Sequence, residues 1–339
     1  MPIRPSSLRS FNKHSVQRGL FSPCRRKQDL RFLLPSTSQY FPNLASRTSF
    51  STSTPSTDAE LKPIDLEFAE YTPSDGNRTR GAVVIVHGLF GSKRNWNSLS
   101  KAFSRDLNKP VYALDLRNHG DSPHARPMTY PQMALDVSHF VKKHKLENIS
   151  LIGHSMGGKV AMTVALGRYL SSSTINNLVV ADIAPIKGRV SRASVSYIDA
   201  MREIEGMKLK TRKEAKEAFA KWEKDPGTQA FILTNLVLPS ESTEHDYAKF
   251  GIPLDILSEA IPDIGTFPYE PGEVEPWGGR TLFVKGDRSK FLNPDAVAVA
   301  KKFFPTLELK SVDAGHWVHG ERPNEFKKHV VDFINAGNV

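Results

Sequence analysis

The chain has 339 residues, a net charge of +10 and a single cysteine, Cys24. This length can bury a large core, and it favours one α/β domain with an insertion over two separate domains. A single cysteine excludes an intramolecular disulfide and a thiolate metal site, which suits a reducing compartment. No run of about 18 apolar residues occurs, so we expect no transmembrane segment.

Most of the positive charge lies in residues 1–57. This segment holds nine basic residues and one acidic residue, Asp29, and so carries +8 of the chain's +10. The rest of the chain is close to neutral, so we expect no nucleic-acid partner. The segment is also Ser-rich, a composition typical of a mitochondrial transit peptide, with a disordered basic tail as the alternative. We expect a mitochondrial protein with cleavage near residues 47–56 and a folded domain over residues 58–339.

Short apolar runs and amphipathic periods alternate through most of the remaining chain. Runs that are apolar on both faces predict strands of a buried parallel sheet, and apolar residues at helical spacing predict helices. In chain order the predicted elements are strands 64–68 and 82–86, helix 95–107, strand 111–115, helix 130–144, strand 149–152, helix 159–170, strand 177–182, strand 280–285, helix 294–303, strand 306–312 and helix 323–336. This alternation predicts an α/β fold with a mostly parallel central sheet and helices on both faces.

The alternation is interrupted after Pro185. Residues 186–277 contain several helical periods and no strand pattern. The predicted helices of this block are 190–205, 211–224, 228–238 and 253–261. We expect the block to be a helical cap inserted over the C-terminal edge of the sheet.

A G-x-S-x-G pattern lies where predicted strand 149–152 gives way to predicted helix 159–170. Gly153 and Gly157 flank Ser155 at two residues on either side. In a strand–turn–helix context such a Ser occupies a sharp, strained turn, and the small neighbours let strand and helix pack closely. The five-residue pattern also arises by chance in Gly-rich loops. The flanking elements favour Ser155 as a nucleophile.

A nucleophilic Ser needs a base within hydrogen-bond reach and an acid that orients the base. In a fold with this order of elements, the base is a His on the loop after the last strand. His316 lies on that loop, just before the closing helix. No positional argument of this kind applies to His154 or His319, so we expect them to be neighbours of the site only.

Two aspartates are candidates for the acid. The pattern G-x-x-D after the penultimate strand would place the acid at Ser289, and Asp287 lies two residues early. Asp182 ends the strand that follows the nucleophile helix, where a buried carboxylate is costly unless it is paired. Asp287, beside Arg288, also fits a surface ion pair. We predict Asp182 as the acid and keep Asp287 as the alternative.

Two backbone N–H groups are expected to form the oxyanion hole. Met156 directly follows the nucleophile, and Leu89 lies in the Gly-flanked loop after strand 82–86. His87 is expected to shape this loop rather than to act as a base. Three further polar residues fall near the same edge, where they could bind substrate or brace the loop: Arg117, Asn118 and His119.

Several segments together resemble one group of the α/β-hydrolase superfamily, which contains fungal mitochondrial ethanol acetyltransferases, small bacterial esterases and an animal mitochondrial relative. The resemblance spans residues 64–335 and is weakest across the cap. It is carried by segments 87–92, 95–96, 115–122, 153–158, 182–185 and 315–317. It implies the α/β-hydrolase fold, a catalytic acid at Asp182 and a Ser, here Ser289, at the later acid position.

The resemblance also implies acyl-transfer chemistry through an acyl-enzyme intermediate. The expected substrate is a short acyl ester or an acyl-CoA thioester. Water as the acceptor would make the protein an esterase or thioesterase, and ethanol would make it an alcohol O-acetyltransferase that forms ethyl acetate from acetyl-CoA. The sequence does not specify the acyl chain length, the acceptor or the oligomeric state.

Other classes of function are less well supported. A Ser at position 155 argues against haloalkane dehalogenases and epoxide hydrolases, which need a carboxylate there. No His/Asp cluster has metal-ligand spacing, so no metal or other cofactor is expected. A non-catalytic mitochondrial interaction protein of the same fold is the remaining alternative, and it would be expected to lack part of the triad.

Overall fold

The computed structural model describes residues 62–78, 81–171, 173–188, 190 and 192–337. The predicted leader, residues 1–57, lies outside the described residues. The nine strands found in the described part are β1 Phe68–Tyr71, β2 Val83–Val86, β3 Val111–Leu114, β4 Ile149–His154, β5 Ile175–Ala181, β6 Leu236–Val237, β7 Lys249–Phe250, β8 Arg280–Gly286 and β9 Leu307–Val312. No helix in these ranges is long and apolar enough to cross a membrane.

Helices connect and cover these strands. They are α1 Asn97–Leu107, α2 Tyr130–Lys143, α3 Met156–Leu166, α4 Arg192–Gly206, α5 Arg212–Phe219, α6 Pro226–Ile232, α7 Leu254–Gly265, α8 Pro294–Phe303, α9 Val318–Glu321 and α10 Pro323–Ala336. The short helix α9, directly after the predicted base, was not predicted from the sequence.

Seven strands form one sheet in the order β1-β3-β2-β4-β5-β8-β9. All neighbouring pairs are parallel except β1 with β3, which is antiparallel. The predicted α/β-hydrolase fold with a mostly parallel sheet is therefore confirmed. The carboxyl ends of the central strands β2, β4, β5 and β8 meet at one edge, where a ligand site is expected in such sheets.

The central strands of the sheet are buried on both faces. Along β2, Val83 and Ile85 pack with α1 and α10, whereas Val84 and Val86 pack with α2 and α3. All four side chains are fully buried. Alternate side chains of a strand point to opposite faces, so a strand that is apolar at every position requires helices on both sides.

The N-terminal strand begins later than predicted. In the extended segment before it, the carbonyl oxygen of Glu67 accepts the N–H of Asp115, but two backbone donors bind side chains instead of a neighbouring strand. The N–H of Ile64 donates to Asp136 Oδ1 over 3.0 Å, and the N–H of Glu67 donates to Ser122 Oγ over 2.9 Å. The apolar alternation reflects the burial of Leu66 rather than a ladder that starts at residue 64.

The inserted block between β5 and β8 contains helices α4 to α7. It also contains the antiparallel pair β6–β7, where Leu236 faces Phe250 in register. The expectation that this block has no strand is therefore wrong, because a two-residue strand leaves no alternation in the sequence. Helix α6 ends at Ile232 rather than at residue 238, and a 3₁₀ turn leads from it into β6.

Hydrogen bonds at two places near the edge of the sheet help to join the cap to the sheet domain. Asn235 Nδ2 donates to the carbonyl oxygen of Phe90 over 2.9 Å, and Tyr130 Oη donates to the carbonyl oxygen of Ile264 over 2.8 Å. Phe90 belongs to the loop after β2, and Tyr130 begins α2. The cap therefore lies against the same edge of the sheet at which β4 ends.

Candidate active site

Ser155 occupies the sharp turn between β4 and α3. Its backbone has φ +52° and ψ −120°, a conformation that a residue with a Cβ rarely adopts and that marks local strain. The turn requires close backbone approach on both sides. A Cβ added at Gly153 would lie 2.2 Å from the carbonyl oxygen of Gly157, and one added at Gly157 would lie 2.4 Å from the carbonyl oxygen of Val86. The two glycines thus allow the strand, turn and helix to pack together.

The structure brings Ser155, His316 and Asp182 together in one hydrogen-bonded chain. His316 Nε2 lies 2.8 Å from Ser155 Oγ, and His316 Nδ1 lies 2.8 Å from Asp182 Oδ2. The His316 side chain is 21% exposed, whereas Asp182 is fully buried. A carboxylate on Nδ1 holds the imidazole in the tautomer whose Nε2 can accept a proton from the hydroxyl.

Further donors surround the buried carboxylate of Asp182. The N–H of Gly286 donates to Oδ1 over 2.9 Å, and the hydroxyl of Ser289 donates to Oδ2 in a short hydrogen bond. These bonds offset the desolvation of a buried charge. The alternative acid, Asp287, is half exposed and lies 3.8 Å from Lys285 Nζ. Asp287 pairs with this lysine, whereas the adjacent arginine pairs with other carboxylates.

Four further imidazoles lie at or next to the site without joining the chain. His87 and His119 hold the loop after β2, and His154 Nε2 donates to the carbonyl oxygen of His316 over 2.9 Å. His319 stacks on an indole ring with 4.3 Å between ring centroids. Burial lowers the pKa of His119 and His319 to about 3 and also lowers that of His87 and His154. All four rings are therefore neutral near pH 7.

Two of these rings hold the loop after β2 in place through hydrogen bonds. His87 Nδ1 donates to the carbonyl oxygen of Gly88 over 2.8 Å and His87 Nε2 accepts from the N–H of Leu116 over 3.0 Å. The N–H of Phe90 donates to His119 Nε2 over 3.2 Å. Both imidazoles thus act on loop conformation, as expected for His87.

The two expected oxyanion donors flank Ser155. Met156 is the first residue of α3, so its N–H has no acceptor within the helix. Leu89 belongs to the loop after β2, and both residues line the cavity that contains Ser155 and His316. This arrangement can present two N–H groups to an oxygen on a carbonyl carbon bound at Ser155.

Arg117 and Asn118 brace the loop after β3. The Arg117 guanidinium makes a bidentate ion pair with Asp136, with Nε 2.6 Å from Oδ2, and also donates to the carbonyl oxygen of Pro127 over 2.7 Å. Both members of the pair are buried. Asn118 bonds to both backbone groups of Ala125. The polar atoms of Arg117 and Asn118 are engaged in hydrogen bonds that hold the loop. This favours the bracing alternative over substrate binding.

Two cavities open on Ser155 and His316. The apolar cavity has a volume of about 360 Å³ and extends between α3 and the cap. The small compartment has a volume of about 80 Å³ and lies on the side of the loop after β2. The apolar cavity is of the size that small ligands occupy in proteins.

Lys159 and Tyr130 line the apolar cavity, and neither was identified from the sequence as a site residue. Lys159 is 5% exposed. Its Nζ donates to three backbone carbonyl oxygens, those of Ile186 (3.0 Å), Gly265 (3.3 Å) and Thr266 (2.6 Å). Burial lowers the pKa of Lys159 to about 8. The sequence does not reveal that a lysine one turn after the nucleophile binds the cap, because its acceptors are backbone atoms far along the chain.

Comparison with known proteins agrees with this architecture. Residues 83–328 match the sequence profile of the Alpha/beta hydrolase family. The chain is 36% identical to the mouse (Mus musculus) sn-1-specific diacylglycerol lipase ABHD11, over 81% of this chain and 87% of that protein. It is also 36% identical to a Probable alcohol acetyltransferase of Saccharomyces cerevisiae, over 80% of this chain and 84% of that protein.

A solved structure, described as a Marine microorganism esterase, superposes with a TM-score of 0.71 at 31% identity. The match covers 80% of this chain and 99% of the esterase. Together with the sheet order, the strained Ser turn and the family profile, these similarities show that the chain belongs to the α/β hydrolase family.

Proposed function

We propose that the protein is a serine esterase or acyltransferase that transfers short acyl groups from esters or thioesters through an acyl-enzyme on Ser155. The observation that carries this proposal is the continuous chain of 2.8 Å hydrogen bonds from Ser155 through His316 to Asp182. That chain ends at the mouth of an apolar cavity, so a bound acyl group would meet the hydroxyl directly.

In the first half-reaction, Ser155 Oγ attacks the carbonyl carbon of the donor. His316 Nε2 takes the hydroxyl proton and then gives it to the departing alcohol or thiol, and Asp182 stabilises the imidazolium. The N–H groups of Leu89 and Met156 stabilise the oxyanion. The loss of one such donor typically lowers the rate about 10²–10³-fold.

In the second half-reaction, an acceptor hydroxyl replaces the leaving group. Its oxygen bonds to the acyl carbon, its proton passes to His316 Nε2, and the bond to Ser155 Oγ breaks as that oxygen regains the proton. Water yields the free acid, and a short alcohol yields a new ester. The relatives named as a lipase and as an alcohol acetyltransferase support both variants.

The test of this proposal compares the purified full chain with Ser155→Ala. Each protein is given a short acetyl ester or acetyl-CoA, with and without ethanol, and free acetate and ethyl acetate are measured separately. We expect product from the wild type and a loss of about 10⁵-fold or more in Ser155→Ala, as for removal of a triad nucleophile. Ser100→Ala is the matched control, because that hydroxyl is buried in α1 and has no hydrogen-bond partner among the described residues.

The product identifies the class of reaction. Acetate alone indicates a hydrolase, and ethyl acetate at modest ethanol indicates an alcohol acetyltransferase. No product from folded wild type, or equal rates in Ser155→Ala, would refute the proposal and favour a non-catalytic interaction protein.

We also propose that the protein acts in mitochondria. The support is the composition of residues 1–57, with nine basic residues and one acidic residue. The test is import of the full chain into isolated mitochondria, compared with a chain that lacks residues 1–57. We expect protease-protected, shortened product from the full chain only. Equal import of both chains, or import of neither, would contradict this localisation.

A further inference from the structure

The space around Ser155 is divided by aromatic side chains. Besides the apolar cavity and the small compartment, an open groove of about 840 Å³, called here the outer groove, lies beyond the cap helix α6. Phe231 and Trp317 line both the small compartment and the outer groove. Their ring centroids are 5.9 Å apart. These two rings therefore form a wall between the small compartment and the outer groove, together with three further residues that line both spaces: Asn95, Tyr197 and His319.

The wall joins the catalytic loop to the cap. Trp317 directly follows His316, and Phe231 lies in α6, so the wall is completed by the inserted block. Phe231 is half buried and does not line the apolar cavity. Ile186 shows the reverse pattern, since it lines the apolar cavity but not the small compartment. Ser194 and Tyr197 of the cap line both cavities, but Phe231 and Ile186 each bound one side only.

The small compartment suits a short alcohol in size and in chemistry. A cavity needs about 10–15 Å³ to hold one water, so a volume of about 80 Å³ has room for about five to eight heavy atoms. Ethanol has three and butanol has five. Ser155 and His316 face the compartment at one side, where a hydroxyl would react. Phe231 and Ile232 supply apolar surface for an alkyl chain.

On the basis of the proposed function, we infer that the small compartment holds the alcohol portion of the ester and that Phe231 limits its length. The acyl portion then occupies the apolar cavity. Because the leaving alcohol and the acceptor alcohol use the same path in opposite directions, one wall limits both. The preferred substrates are esters of alcohols with no more than about five to eight heavy atoms, and longer alcohol portions meet the Phe231 ring.

The experiment uses two ester series that share ethyl acetate. The alcohol series runs from methyl acetate to octyl acetate, and the acyl series runs from ethyl acetate to ethyl octanoate. The value of kcat/KM is measured for each ester with the full-length wild type, Phe231→Ala and Ile186→Ala. For the wild type, we expect a drop of at least tenfold between butyl acetate and octyl acetate.

The two variants should change different series. Phe231→Ala opens the small compartment into the outer groove. The kcat/KM for octyl acetate should therefore rise at least tenfold relative to that for ethyl acetate. The preferred acyl length should stay the same. Ile186→Ala should shift the acyl series and leave the preferred alcohol length unchanged. Phe231→Leu keeps much of the apolar volume and should show a smaller rise in kcat/KM for octyl acetate. It replaces Phe231→Ala in the test if that variant does not fold.

The inference is overturned if Phe231→Ala and Phe231→Leu both keep the wild-type alcohol series, or if they change both series equally. It is also overturned if the wild type does not discriminate among alcohol lengths. These outcomes still require ester turnover that depends on Ser155, so they leave the proposed function in place. Absence of turnover of every ester by folded wild type would instead refute the proposed function.

Discussion

Replacement of Asp182 by Asn tests the assignment of the acid with little change in shape. Asp182 Oδ1 accepts the N–H of Gly286, and Oδ2 accepts from His316 Nδ1 and from the hydroxyl of Ser289. In Asp182→Asn the amide oxygen keeps the Gly286 bond, so the NH₂ group takes the position of Oδ2. This group donates, and it therefore favours the imidazole tautomer whose Nδ1 accepts.

The consequence is a base with its proton on the wrong nitrogen. In that tautomer Nε2 of His316 carries the hydrogen and cannot take the proton of Ser155. The same change in another serine enzyme lowers kcat about 10⁴-fold, which corresponds to about 5 kcal/mol of transition-state stabilisation. We expect a loss of this size for Asp182→Asn, with KM changed much less, because the carboxylate does not line either cavity.

The assay is steady-state hydrolysis of ethyl acetate, with thermal unfolding to show that the variant is folded. Asp287→Asn is the matched control, because Asp287 is half exposed and pairs with Lys285 at the surface. Its kcat should stay within about twofold of the wild type, since such pairs contribute little. A large loss in Asp287→Asn together with a mild loss in Asp182→Asn would refute the assignment of the acid.

Two further predictions concern buried charges outside the triad. Arg117→Met leaves the carboxylate of Asp136 buried without its ion pair, so we expect a loss of about 3–5 kcal/mol in the free energy of unfolding by urea. Arg126→Met breaks only an exposed pair with Glu259 and should cost less than about 1 kcal/mol. Equal losses would contradict the bracing role. Burial lowers the pKa of Lys159 from 10.5 to about 8, so between these values the unfolded chain binds more protons and stability rises with pH. Between pH 7.5 and pH 9.5, the free energy of unfolding of the wild type should rise by about 2 kcal/mol more than that of Lys159→Met. Urea unfolding at the two pH values measures this difference. Equal changes in the two proteins would contradict the lowered pKa of Lys159.

The centre of the sheet could be predicted because its strands are largely apolar and the helices that cover it are amphipathic. Strand β2 has four fully buried residues in a row, a pattern that few other structures produce. The start of β1 was misplaced because apolar alternation reports burial and does not report where backbone N–H groups bind. At Ile64 and Glu67 they bind side chains more than 50 residues away in the sequence.

For the candidate site, sequence order was sufficient to propose Ser155 and His316, since each position follows from the element before it. For the acid, the sequence favoured Asp182 but kept Asp287 as an alternative, because both aspartates follow strands that end at the same edge. What separates them is the direction of each side chain: Asp182 points at His316 Nδ1, whereas Asp287 lies at the surface near Lys285. A pattern of residue types carries no information on that direction.

The cap was the least predictable region, and Lys159 shows why. Its ammonium binds the chain where it enters the cap, at Ile186, and where the last cap helix ends, at Gly265 and Thr266. These acceptors are carbonyl oxygens, which every residue has, so no residue type marks them in the sequence. Because Lys159 also lies one turn after Ser155, the helix that begins at the nucleophile is the same helix that fixes the base of the cap. The position of the cap relative to Ser155 is therefore set in part by the helix that begins at this residue, while the inserted block supplies residues such as Ile186 and Phe231 that line the cavities.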